Sequence, residues 1–163
     1  MNRRHFIATT SSAFLAARSP AAAAAGFIDA HVHVWPKHTE DYPLAEGFKP
    51  EDMQPPSFTP EQLFAHTKPE GVTRIVLIQM SYYRFDNSYM LKVMADHPGV
   101  FGGVAIVDEN EADVAAAMLK LKDKGVRGFR IYTGGSNYNA WLGSAGMDSM
   151  WTTAAAEGLA ICP

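Results

Sequence analysis

Short apolar segments recur along the chain at intervals of about 30 residues, and a helical pattern follows each of the first four. The predicted strands start near positions 27, 72, 100, 126 and 159. Segment 72–79 is almost continuously apolar, as expected for a parallel strand that is covered on both faces. In segment 114–121 apolar side chains recur at i, i+4 and i+7, which predicts a helix with one buried stripe. Repeated alternation of strand and helix predicts a parallel sheet with right-handed crossovers.

The spacing of these units fits a (β/α)8 TIM barrel, which needs about 250 residues. The chain has 163 residues, and its fifth strand reaches Pro163 without a following helix. We therefore predict an α/β fold that forms the N-terminal half of such a barrel, with about four and a half strand–helix units, in a truncated chain. An open doubly wound domain that binds a nucleotide is the alternative, and the absence of GxGxxG after the first strand weakens it.

Local signals place the helix starts between these strands. Thr59 as N-cap, Pro60 at the first helical position and Gln62 as capping-box partner predict one helix. Asp86 or Asn87 is predicted to cap the second helix, and Asn110 the third.

A proline-rich segment follows the first strand and is predicted to be a long loop, because proline continues neither a ladder nor a helix. Loops longer than about 15 residues are often lids or binding loops. Three aromatic side chains in it are expected to pack the loop down, with the lining of a pocket as the alternative. These are Tyr42, Phe48 and Phe58, and the prolines are Pro36, Pro43, Pro50, Pro55, Pro56 and Pro60.

Residues 1–25 have the three parts of an export signal and are excluded from the predicted fold. Arg3 and Arg4 precede Phe6 and Ile7 in a pattern that resembles the twin-arginine translocation motif. An apolar stretch rich in Ser, Thr and Ala follows, and then a run of small residues that ends at Ala25. The expectation is cleavage near Ala25, a domain at 26–163, and delivery to the periplasm or beyond. A disordered, alanine-rich leader is the alternative.

Composition narrows the classes of function. The net charge of -3 comes from mixed charges without a basic run, so nothing favours nucleic acid or anionic lipid as a partner. Cys162 is the only cysteine, which excludes an internal disulfide and a CxxC metal site. After the N-terminus no apolar run reaches the roughly 18 residues of a membrane-spanning helix, so no membrane anchor is expected after signal cleavage.

The first predicted strand, 27–35, carries the most specific chemistry. Its two-residue period places Asp29, His31 and His33 on one face, so two imidazoles point the same way one pleat apart. Two such histidines on a strand can reach one metal ion or one substrate from the same side. The alternative is a strand with two hydrogen-bonded histidines.

Further polar residues lie where the other strands end, which is where barrel enzymes place their chemistry. Gln79 and Ser81 follow the second strand, and Arg130 and Tyr132 lie on the fourth. These four are predicted to bind substrate. The guanidinium of Arg130 can hold a carboxylate with two hydrogen bonds, whereas a surface or inter-strand ion pair is its alternative. Asp108 follows the third strand and is expected to cap a helix or lie in a solvated loop.

Three segments give the chain a resemblance to a known family: 27–35, 71–79 and 125–130. Together they resemble the amidohydrolase superfamily, in particular the amidohydrolase-related branch that includes lactone hydrolases such as pyrone-dicarboxylate lactonase and fuconolactonase. The resemblance implies that His31 and His33 bind a divalent metal such as zinc, together with histidines after strands five and six and an aspartate after strand eight. Some members of the branch work without a metal and use histidines and arginines to hold a carboxylated lactone. Both a metal and no cofactor therefore stay open.

The chain departs from that pattern, because none of its remaining histidines follows a fifth or sixth strand. Catalytic zinc normally keeps three protein ligands, so this polypeptide is expected to carry half of an active site. The histidines concerned are His5, His38, His66 and His97.

These observations together predict a hydrolase that acts on a lactone or an amide of a small, carboxylated substrate. Water would attack the carbonyl while His31 and His33 position it or a metal, and Arg130 would orient the substrate. The alternative is a non-catalytic half-barrel, a binding or assembly module that dimerises through its open sheet edge. Homo-oligomer formation thus stays open, and the mass in size-exclusion chromatography separates the two hypotheses.

Overall fold

The computed structural model describes residues 26–38, 40–132 and 137–163, and the predicted export signal at 1–25 lies outside them. Five parallel strands form one sheet in the order in which they occur in the chain. This sequential order confirms the predicted half-barrel, since a doubly wound sheet reverses its strand order. The strands are β1 (Phe27–Val32), β2 (Val72–Ile78), β3 (Phe101–Ala105), β4 (Val126–Arg130) and β5 (Ala160–Cys162). The helices are α1 (Pro60–Thr67), α2 (Ser88–Asp96), α3 (Val114–Asp123), α4 (Tyr138–Leu142) and α5 (Ala145–Glu157).

The main hydrophobic core lies between the sheet and the helices. Leu77 of β2 and Phe129 of β4 are each 0% exposed, and Met118 of α3 is equally buried. Full burial of side chains of this size stabilises the fold by about 1.5–3 kcal/mol each. Because this core fixes each strand from its helix side, the opposite face and the strand ends remain available for polar groups.

Strand β1 lies at one end of the sheet, and its amino end is exposed. Phe27 is 72% and Ile28 is 51% exposed, whereas Val34 just beyond the strand is 5% exposed. Burial therefore increases along β1 toward the end that carries the histidines.

The predicted helix starts have different outcomes. The capping box of α1 is confirmed, since Thr59 N–H donates to Gln62 Oε1 at 2.7 Å. The prediction that Asn110 caps α3 is wrong, because Asp113 Oδ1 accepts from the backbone N–H of Ala116 at 2.9 Å. Asn110 instead donates to Asp108 in a turn that precedes the helix.

The proline-rich loop packs against the short 3-10 turn that follows β2 (Ser81–Tyr83). Tyr82 Oη donates to the carbonyl of Asp52 at 2.9 Å, and Trp35 Nε1 donates to the carbonyl of Pro55 at 2.9 Å. Trp35 also pairs with Phe58 in an isolated antiparallel bridge. The expected packing role is confirmed for Tyr42 and Phe58 by ring contacts with Tyr89 and Trp35. Phe48 packs against Tyr82 and also lines a cavity, so both interpretations hold for it.

Within the described ranges, none of the helices has both the length and the apolar character that a membrane crossing requires.

Candidate functional site

The two histidines of the first strand meet at its carboxyl end. His31 is exposed and His33 is half-buried, and their Nε2 atoms lie 3.2 Å apart. The rings are nearly perpendicular, with centroids 5.0 Å apart and an interplanar angle of 81°. His33 also reaches the neighbouring strand, where its Nδ1 lies 2.9 Å from the carbonyl oxygen of Ile78. Thus the prediction that both imidazoles lie together on one side is confirmed.

These contacts define the proton positions on His33. A carbonyl oxygen only accepts hydrogen bonds, so Nδ1 of His33 must carry the proton that it donates to Ile78. Burial lowers the pKa of His33 below its ordinary value of 6.5, and the positive charges of His31 and Arg130 lower it further, against the opposing effect of the Ile78 carbonyl. Neutral His33 therefore presents an unprotonated Nε2, and the 3.2 Å contact is a hydrogen bond donated by His31 Nε2.

The pair supplies two of the three protein ligands that a catalytic zinc ion normally has. Two imidazole nitrogens at about 2.0–2.1 Å from a tetrahedral ion lie near the observed 3.2 Å from each other. The bond from His33 Nδ1 to a backbone carbonyl is the outer contact that usually orients such a ligand. In the part of the chain that the structure describes, however, no group of three or more His, Cys, Asp or Glu side chains surrounds one point.

A cavity of about 410 Å³ opens beside the carboxyl ends of β2, β3 and β4. Ser81, Arg130 and Tyr132, three of the four predicted substrate-binding residues, line it together. The histidine pair does not line this cavity, and the link between the two is the charge of Arg130, which acts on His33. The other lining residues are Phe48, Arg84, Phe85, Val107, Glu109, Ile131, Trp141, Met147 and Met150.

Arg130 presents its charge to this cavity. Its guanidinium carbon lies 4.6 Å from the centre of the Tyr132 ring, in a cation–π contact. Among the described residues the ion pairs are formed by Lys92 with Asp96 and by Lys122 with Glu157. The alternative that Arg130 serves in an ion pair therefore has no partner within that part of the chain.

Gln79 has a different position from the one expected for a substrate ligand. Its side chain is 2% exposed, and its Nε2 donates to the carbonyls of Arg84 at 3.3 Å and Asp86 at 2.7 Å. The buried Gln79 amide thus binds the backbone of the loop that follows β2. Its direct contact with substrate stays a prediction, whereas its support of the loop is observed.

Sequence reasoning missed two charged residues of the cavity. Arg84 lies in the loop after β2, and Glu109 follows β3 and accepts a hydrogen bond from Trp141 Nε1 at 2.9 Å. The available signal was their position just after the strand ends, the same criterion that selected Ser81. Asp108 has the expected role in a loop, since its Oδ1 accepts from Asn110 N–H at 2.9 Å.

Comparison of the sequence with known proteins identifies the family of the chain. The family model described as Amidohydrolase matches residues 28–161. A 2-pyrone-4,6-dicarboxylate hydrolase of Comamonas testosteroni is 35% identical over 107 residues, which cover 66% of this chain and 33% of that protein.

Solved structures show the same fold at low identity. A probable 2-pyrone-4,6-dicarboxylic acid hydrolase of Acinetobacter baumannii with bound citric acid has a TM-score of 0.63 and 19% identity, covering 82% of this chain and 47% of its own. An amidohydrolase of Burkholderia multivorans with bound zinc has a TM-score of 0.64 and 16% identity, with coverages of 84% and 48%. The chain thus spans a third of the curated relative and just under half of these structures. With a match that extends from residue 28 to residue 161, the chain belongs to the amidohydrolase family.

Proposed function

We propose that the protein serves the hydrolysis of a lactone or amide bond in a small carboxylated substrate, with a pyrone dicarboxylate as the first candidate. One observation carries this assignment: the guanidinium of Arg130, without a carboxylate partner among the described residues, lines a cavity of about 410 Å³ beside the carboxyl ends of the strands. The names of the relatives, which are pyrone-dicarboxylate hydrolases, support the same substrate class.

In this assignment Arg130 binds and orients the substrate. Its planar fork of N–H donors matches a carboxylate, and such charge-assisted pairs are stronger than neutral hydrogen bonds. The contact with the Tyr132 ring at 4.6 Å favours one orientation of the fork, which reduces the side-chain freedom lost on binding. Phe48 and Met150 supply apolar walls for the ring of the substrate.

The histidine pair supplies a site for a proton. Neutral His33 has an unprotonated Nε2, and its ring is held by the carbonyl of Ile78. This nitrogen has a single lone pair, so it can accept a proton from a water molecule that attacks the substrate carbonyl once the hydrogen bond from His31 Nε2–H is broken. Burial, with smaller contributions from the charges of His31 and Arg130, lowers the pKa of His33 and so favours the neutral form that can accept that proton.

A divalent metal fits the same two nitrogen atoms. His31 and His33 would hold it as two of its ligands, and their spacing of 3.2 Å suits that role. When bound, such an ion supplies Lewis-acid polarisation of a carbonyl and a lowered pKa for water.

Binding of 2-pyrone-4,6-dicarboxylate to the full chain, measured by isothermal titration calorimetry, tests the role of Arg130. We expect Arg130→Gln to weaken binding about 10- to 100-fold, because a hydrogen bond to a charged group contributes about 1.5–3 kcal/mol. Arg127→Gln is the matched control on the same strand, because its Nη1 donates to the carbonyls of Lys122 and Val126 and it does not line the cavity. Equal affinity of wild type and Arg130→Gln, or an equal loss in the control, contradicts the assignment.

A further inference from the structure

We infer that Arg84 is a second anion-binding residue of the cavity and that Gln79 is the residue that positions it. This inference rests on the proposed function and deepens it, since it names the residue that would hold the second acidic group of a dicarboxylate substrate. Arg84 lines the same cavity as Arg130, although it comes from a different strand end.

The backbone of Arg84 adopts a conformation that side chains rarely take. Its φ of 45° and ψ of -111° are close to those of the first central residue of a type II′ turn, where glycine is usual. The turn is closed by a hydrogen bond from Asp86 N–H to the Tyr83 carbonyl at 2.9 Å. Among the described residues no other non-glycine residue has a positive φ. Strain of this kind persists only where the surroundings impose it, and it is concentrated at functional sites.

The amide of Gln79 imposes this conformation from inside the protein. One buried Nε2 donates to the carbonyls of Arg84 and Asp86, the first and third residues after Tyr83 in the turn. Asn87 then ties the end of the turn to β3, because its Nδ2 donates to the carbonyls of Phe85 and Ile106. The turn is thus held at three successive carbonyls, and the Arg84 side chain is directed to the cavity.

The charges of the cavity favour a ligand with two negative groups. Arg84 and Arg130 both line it, and neither has an ion-pair partner within the described ranges. Glu109 is the acidic residue of the lining, and one of its oxygens is already engaged by Trp141. A Cβ atom added at Gly47 would lie 4.0 Å from Arg84 Nη2, so this guanidinium extends from the turn to the proline-rich loop. Two guanidinium groups on one cavity match two carboxylates on one small ring.

The experiment compares two probes: 2-pyrone-4,6-dicarboxylate and 2-pyrone-6-carboxylate, which lacks one acidic group. Affinities are measured by calorimetry on the full chain, and the readout is the ratio of the two dissociation constants. We expect Arg84→Gln and Arg84→Gly to lower the preference for the dicarboxylate about 10- to 100-fold. Arg84→Lys retains part of it. Arg74→Gln is the matched control, since Arg74 is exposed on β2 and does not line the cavity.

Arg84→Gly has a second expected effect that separates function from folding. Glycine adopts a positive φ without steric cost, so this variant should melt at a higher temperature than wild type while it loses the preference for the dicarboxylate. Arg84→Gln should show the same loss of preference without the gain in melting temperature.

The positioning role of Gln79 is tested by a double-mutant cycle. Gln79→Met removes the donated hydrogen bonds at similar volume and should lower the dicarboxylate preference in wild type. In the Arg84→Gly background it should leave the remaining preference unchanged, because there is no guanidinium left to position. A purely structural role of Gln79 would lower both affinities equally in both backgrounds, and that result overturns its assignment.

The two levels of the proposal fail differently. If the wild-type chain does not bind the dicarboxylate, or Arg130→Gln binds it unchanged, the proposed function is wrong and the role of Arg84 is wrong with it. If Arg130→Gln loses binding while both Arg84 variants keep the wild-type ratio of affinities, the proposed function stands and the inference about Arg84 is overturned.

Discussion

Replacing Asn87 by alanine tests how the cavity loop is joined to the sheet. Asn87 is 6% exposed, and its side chain makes three hydrogen bonds. Nδ2 donates to the carbonyls of Ile106 at 2.8 Å and Phe85 at 2.9 Å, and Oδ1 accepts from Ile106 N–H at 3.1 Å. Because Ile106 is 3% exposed, water does not replace these partners.

The loss of stability follows from the groups that are left unpaired. A buried donor or acceptor without a partner costs about 1–3 kcal/mol, so the two backbone groups of Ile106 together cost about 2–6 kcal/mol. With a typical urea dependence of about 2 kcal/mol per molar, we expect the unfolding midpoint of Asn87→Ala to fall by about 1–3 M.

Urea unfolding followed by circular dichroism measures this shift, and Asn110→Ala is the matched control. Asn110 is exposed, and among the described residues its side chain bonds only to Asp108, so its replacement should change the free energy of unfolding by no more than about 0.5 kcal/mol. A midpoint for Asn87→Ala within the range of this control would refute the reasoning, because it would mean that the Ile106 groups find other partners.

Three further predictions concern titration, export and assembly. The pKa of His33 is lower in the folded protein than in the unfolded chain, so the stability that neutral His33 contributes is complete above pH 6.5 and is lost as the pH falls below that value. The urea midpoint should therefore fall more steeply between pH 7 and pH 5 in the wild type than in His33→Gln. Replacement of both Arg3 and Arg4 by lysine should retain the chain in the cytoplasm with its leader uncleaved. If the variant instead has the mass of residues 26–163, the export prediction is contradicted. The dimerising half-barrel alternative requires a mass of two chains in size-exclusion chromatography, and a monomer at micromolar concentration would exclude it.

Features set by neighbours in the sequence were predictable from the residues alone. The apolar run of β2 signals a strand covered on both faces, and the structure buries Ile75, Leu77 and Ile78 there. The capping box at Thr59 and Gln62 depends on groups three residues apart, so its chemistry is complete within one turn. The pairing of His31 and His33 likewise follows from the two-residue period of a strand.

Features set by distant groups were not predictable in this way. Asn87 precedes α2 as expected, yet its side chain makes no capping bond, because the backbone of Ile106, just after β3, occupies both ends of its amide. The positive φ of Arg84 carries no sequence signal, since no propensity favours such a conformation for arginine. Both residues depend on contacts across the sheet, and a single sequence does not specify which of several equivalent polar residues will receive them.

Two adjacent residues at the carboxyl end of β2 contact the histidine pair and the turn of Arg84. Ile78 orients the histidine pair through its carbonyl, which accepts from His33 Nδ1 at 2.9 Å. Gln79, the next residue, orients the turn of Arg84 through its side chain, while its own N–H donates to the carbonyl of Val104 at 2.8 Å. Because side chains and carbonyls alternate along a strand, a shift of β2 by one residue would misplace both groups at once. The buried Leu77, fixed in the core one residue earlier, prevents that shift. The packing of one strand therefore sets the tautomer of His33 and the direction of Arg84 together.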